Sequence, residues 1–97
     1  MSHVTLCVQL WARAGQETVL ADYEDQVLCL LPAHAGRVLS RVRSLETGDQ
    51  PHEVQVIEFA AERAIDDYLR DPTRVALAGL RDRAIERTEM FRVTTIG

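Results

Sequence analysis

Glu58 stands inside the stretch VQVIEFA, residues 54–60, five of whose seven residues are apolar. A carboxylate sheltered among apolar neighbours has a shifted pKa and can serve as general acid or base. Arg41 is the cation that a hairpin would place beside it. Together they would polarise or anchor a substrate, or else form an ion pair that holds two strands in register. His34 is a third candidate, as a proton carrier or haem ligand, set against a histidine at the edge of the core bonded to a carbonyl. No second histidine stands at i+4 to complete a metal site. Trp11 would stack on an aromatic ligand or anchor a subunit interface. Gln9, Cys7 and Val56 share its strand face and join it as candidate ligand contacts. Tyr68, like Tyr23, lies on a helical stripe, which suits a core position or the lining of a pocket.

These residues need elements to hold them. HVTLCVQLWAR alternates with period two: Val4, Leu6, Val8, Leu10 and Ala12 fall on one face, and His3, Thr5, Cys7, Gln9, Trp11 and Arg13 on the other. That is a half-buried strand. After Ala14–Gly15 the period changes. Val19, Leu20, Tyr23, Val27, Leu30, Leu31 and His34 recur at helical steps. Pro32 ends or distorts that helix, and Gly36 suits its stop. GRVLSRVRSLE reads as a second strand, TGDQPH as a turn and EVQVIEFA as a third strand antiparallel to the second. AERAIDDYLR is a short helix. DPTR restarts one, with Asp71 as cap and Pro72 in the first turn, and VALAGLRDRAIERT continues it. EMFRVTTI closes as a fourth strand. The order β-α-β-β-α-β is the ferredoxin-like pattern of an α+β fold: a four-stranded antiparallel sheet with helices on one face, in one domain over 1–97.

With helices on one face only, strand parity assigns the other. A turn near Gly48–Asp49 pairs Phe59 with Ser40 and Glu58 with Arg41. Ile57 and Phe59 then face the helices, while Glu58 and Arg41 share the second face with Leu39, Val56, Thr5, Cys7, Gln9 and Trp11. No cation or carboxylate is expected on the helix side of the strands. The second face is too apolar for full solvation and too charged for plain packing. It suits closure over a partly polar interior.

Composition narrows the partners. Net charge is −4, with no basic block, which argues against nucleic acid. All eleven cations are arginine, a bias that fits a GC-rich bacterial gene. No apolar run approaches the ~20 residues of a membrane span, and MSHVTLCVQLWAR lacks a charged start and a cleavage site. Cys7 and Cys29 are too few for a disulfide framework and carry no metal spacing. The expected compartment is the cytoplasm, and no metal or other cofactor is expected. A chain of 97 residues buries only ~60–65% of its unfolded surface, so dimerisation is a natural supplement.

AGRVLSR (35–41), VQVIEF (54–59) and YLRDP (68–72) resemble motifs of the dimeric α+β barrel superfamily, which includes the antibiotic-biosynthesis monooxygenases. The likeness is to its small uncharacterised bacterial proteins. ALAGLRDRA (76–84) resembles the helix that follows, with Arg81 at the place of its arginine. The resemblance implies a homodimer whose two sheets face each other, and a pocket between sheet and helices or inside the barrel. Ala35 departs from the first glycine of the family's pair, and EDQVLCLLPAHA is more apolar than the family's first helix. Cofactor-free oxidising members use tryptophan and asparagine, and this chain has no asparagine.

Three classes of function remain open. One is a barrel that binds a small, partly hydrophobic molecule. The second is a cofactor-independent monooxygenase or isomerase of an aromatic or polyketide-like compound. The third is a structural homodimer whose barrel is filled by its own side chains.

Overall fold

The computed structural model describes residues 3–97. Its elements are β1 (Val4–Ala12), α1 (Glu17–Leu28), a 3₁₀ turn (Leu31–His34), β2 (Gly36–Arg43), β3 (Glu53–Phe59), α2 (Glu62–Leu69), α3 (Pro72–Ala76), α4 (Ala78–Ala84) and β4 (Ile85–Val93). All strand pairs are antiparallel, in the order β2-β3-β1-β4. This is the expected ferredoxin-like α+β arrangement.

The alternation of β1 places Leu6, Val8 and Leu10 under the helices. Ile57 and Phe59 lie beside them on β3, as parity required. Leu20, Tyr23 and Val27 of α1 close over them, and Ile65 and Tyr68 of α2 add to the same core. Phe59 retains 1% of its accessible surface and packs its ring 5.8 Å from that of Tyr68.

Element ends depart from expectation in two places. The first helix stops at Leu28, and Pro32 opens a separate 3₁₀ turn, because proline cannot donate to the preceding helical turn. The residue in left-handed conformation after that turn is Ala35, at φ 53°, and not Gly36. Gly36 serves a different need: a Cβ there would lie 3.0 Å from both Leu31 and Phe59. The helix expected to run on from DPTR through IERT breaks at Leu77 into α3 and α4 and ends at Ala84, and β4 starts at Ile85, earlier than EMFRVTTI implied. Asp71 caps α3 by accepting from the Thr73 amide at 2.8 Å, with Pro72 in the first turn.

The largest correction is the β2–β3 register. Gly36 pairs with Phe59, Arg37 with Glu58 and Val38 with Ile57; the register then shifts before Ser40–Val56 and Arg41–Gln55. The extra residue, Leu39, is a β-bulge, which inverts the parity of everything after it. Glu58 stays on the open face, as expected. Arg41 does not join it; it moves to the helix side.

Candidate binding cleft

The helices do not cover the sheet evenly. α1 lies across β2 and β3: Arg41 Nη1 donates to Asp25 Oδ1 at 2.6 Å, and Gln55 Nε2 donates to Glu24 Oε1 at 2.7 Å. The edge strand β4 has no such roof. Its helix-side residues Thr88, Met90 and Arg92 remain exposed, Met90 at 47%. The uneven cover leaves a cleft of about 270 Å³ between sheet and helices. Leu6, Val8 and Leu10 of β1 and Ile57 and Phe59 of β3 form its floor. Ile65 and Leu69 of α2 stand over them, and Ile85 and Met90 of β4 line the open side.

Polar groups enter this apolar space from four directions. Glu24 comes from α1, Gln55 from β3, Arg74 from α3 and Arg81 from α4, with Tyr68 between them. Glu24 and Gln55 are 6% and 1% exposed. Burial pushes the Glu24 carboxyl above the ordinary carboxylate range, against the Gln55 hydrogen bond that lowers it. Gln55 is held on both sides, since its Nε2 also donates to Glu53 Oε2 at 2.6 Å. Both neighbours are carboxyl groups, so the amide nitrogen must face them. Glu53 in turn takes two bonds from Arg41, at 2.7 and 3.3 Å. A continuous polar chain therefore runs from exposed Asp25 through Arg41, Glu53 and Gln55 to Glu24 at the cleft.

The tyrosines complete the wall. Tyr68 donates its hydroxyl to the Val27 carbonyl at 3.1 Å, and burial pushes its pKa up to about 12. Arg74 stacks over its ring, 5.2 Å from the centroid. Burial also raises the Tyr23 pKa. The Tyr23 hydroxyl and Arg74 Nε are both buried without a hydrogen-bond partner among the described residues. Such groups are costly to leave unpaired in an apolar setting.

Of the residues singled out from sequence, only Tyr68 and Arg81 line this cleft. Glu58 lies on the open face, accepting from Arg37 Nε at 3.0 Å, with His3 at 3.2 Å. Arg37 first, then His3, holds its carboxyl below the usual range. The expected Glu58–Arg41 pair is therefore replaced by two separate pairs on opposite faces, and the helix side carries the charges it was expected to lack. His34 Nε2 meets Asp71 Oδ2 at 2.7 Å, which ties the 3₁₀ turn to the start of α3. Cys7, Gln9, Trp11 and Val56 share the open face, as parity placed them, outside the cleft. Trp11 donates to the Asp49 carbonyl at 2.9 Å, and Arg87 stacks 4.1 Å above its ring. Among the described residues no group of three His, Cys, Asp or Glu side chains is placed to hold a metal ion. No helix among them is long and apolar enough to cross a membrane.

Glu24, Gln55 and Arg74 were missed. The signal for Gln55 was present: it shares the parity of Ile57 and Phe59. Glu24 likewise stands one helical turn from Leu20, on the buried stripe. Arg74 had no comparable mark.

The fold has clear parallels among solved structures. A dimeric protein of unknown function and ferredoxin-like fold from Bacteroides fragilis superposes with a TM-score of 0.72 at 16% identity, over 96% of each chain. A DABB family protein with a ferredoxin-like fold from Mesorhizobium loti gives 0.67 at 18% identity, over the whole of both chains. SnoaB, a cofactor-independent oxygenase from Streptomyces nogalater, gives 0.73 at 12% identity, over 100% of this chain and 96% of its own. The chain shares their fold. No family model matches the chain, and no curated protein matches it in sequence.

Proposed function

We propose that this chain binds a small, partly hydrophobic molecule in the cleft between its sheet and α2–α4. The observation that carries the reading is a space of about 270 Å³, apolar on its floor, into which Glu24, Gln55, Tyr68, Arg74 and Arg81 converge. Ligand sites are typically concave, mostly apolar and provided with a few placed polar groups, at volumes of ~300–1,000 Å³. The cleft falls just below that range, which suits a ligand of one or two rings. Titrating the protein with a small aromatic fragment set and following backbone amide shifts tests this. Shifts confined to Ile57, Phe59, Ile65 and Met90 are expected; shifts confined to the open face, or none, would refute it.

The binding form in this reading is a homodimer. Val42 and Phe91 keep 55% and 47% exposure on the open sheet face, where Cys7, Val54 and Val56 are half-buried. A second copy packed on that face would cover them, and the Bacteroides fragilis protein is described as dimeric. Light scattering should give twice 10.9 kDa.

Glu24 favours a second reading, catalysis without a cofactor. A buried carboxyl with a raised pKa beside an apolar cavity suits proton abstraction from a bound carbon or phenol acid. In that case Glu24→Gln would abolish turnover and leave binding intact.

A further inference from the structure

We infer that the cleft selects molecules bearing a carboxylate on a compact apolar body, with Arg74 and Arg81 receiving the charge. The inference rests on the cleft being a ligand site. Two guanidinium groups and one carboxyl group line the space. Among the described residues Arg74 has no ion-pair partner, and Arg81 has only Asp82, at 3.9 Å and 76% exposed. Arg41, by contrast, is engaged by both Glu53 and Asp25. The Glu24 carboxyl is one group against two guanidinium groups, and it is held by the Gln55 amide at 2.7 Å.

Arg74 Nε is buried with no acceptor among the described residues. The Tyr23 hydroxyl is buried without a partner as well, and Arg74 is the strongest charge acting on it. Guanidinium donors are all of one kind; they need oxygen acceptors, and a carboxylate offers two in the matching planar fork. A neutral amide offers one carbonyl oxygen and brings donors of its own. The apolar residues around the arginines leave only the body of the ligand to be matched by Leu6, Ile57, Ile65 and Met90.

The test compares phenylacetate and hexanoate with their primary amides, each titrated into the wild-type protein at pH 7 and followed by amide shifts. Each acid should bind about 10- to 100-fold more tightly than its amide, the usual margin for a charge-assisted over a neutral contact. The margin should collapse in Arg74→Gln and shrink in Arg81→Gln, whose half-exposed side chain makes it the safer variant for folding. Acid and amide binding equally in the cleft would overturn the charge inference and leave the binding site standing. A margin that survives in both folded variants would place the anion elsewhere and also overturn it. No cleft shifts with any of the four compounds would overturn the inference and, if the fragment set is also silent there, the binding reading with it.

Discussion

Replacing Gln55 with leucine tests the buried polar chain directly. The Gln55 amide nitrogen serves two carboxyl groups, Glu24 at 2.7 Å and Glu53 at 2.6 Å, which are only 6% and 3% exposed. A hydrogen bond to a charged group contributes about 1.5–3 kcal/mol. Glu53 keeps its two bonds from Arg41, so its loss falls at the low end. Glu24 has no other side-chain donor among the described residues and loses more. Leucine offsets about 1 kcal/mol through added apolar burial. The net cost is about 2–4 kcal/mol, read as a fall in the urea midpoint at fixed protein concentration. Concentration must be fixed because a dimer's stability depends on it. The cost should also depend on pH. Gln55 favours the ionised form of Glu24, so its removal raises the Glu24 pKa further. The penalty is then full where wild-type Glu24 is ionised and shrinks as falling pH protonates it. The double variant Gln55→Leu/Glu24→Leu should recover much of the loss, since removing both partners is far less costly than orphaning one. A single-variant loss below about 1 kcal/mol, or one equal at pH 4 and pH 8, would refute the network as described.

Glu24→Gln should stabilise the protein at neutral pH and match wild type in acid. The folded pKa of Glu24 is raised by burial, so its stabilising contribution is complete below the unfolded carboxylate value and is lost as pH rises through the folded one. Glutamine does not titrate, so thermal unfolding of the two proteins should diverge with rising pH; parallel profiles would refute the shift. Ala35→Gly should stabilise by about 0.5–1 kcal/mol, because a left-handed L-residue costs about 1–2 kcal/mol and glycine returns part of that as unfolded-chain entropy. Chemical denaturation showing a loss instead would mean that the Ala35 methyl group makes contacts that outweigh its backbone strain.

Much was legible from the chain alone, because local patterns carry it. Period-two alternation in VTLCVQLWA and EVQVIEF assigned the faces of β1 and β3, and the open-face position of Glu58, without any tertiary knowledge. Asp71–Pro72 announced the start of α3, since capping is settled within one turn. The register of β2 was a different kind of quantity. It depended on the length of the loop and on one bulged residue, Leu39, and neither leaves a mark in hydrophobic periodicity. That single residue carried Arg41 from the side of Glu58 to the side of Glu53, and so dissolved the pair that sequence reading had assembled. The cleft was also beyond the sequence. Glu24, Gln55, Arg74 and Arg81 lie on four different elements. Their convergence follows from how α1 lies over β2 and β3 and packs against α4 while β4 is left bare, and only tertiary packing decides that.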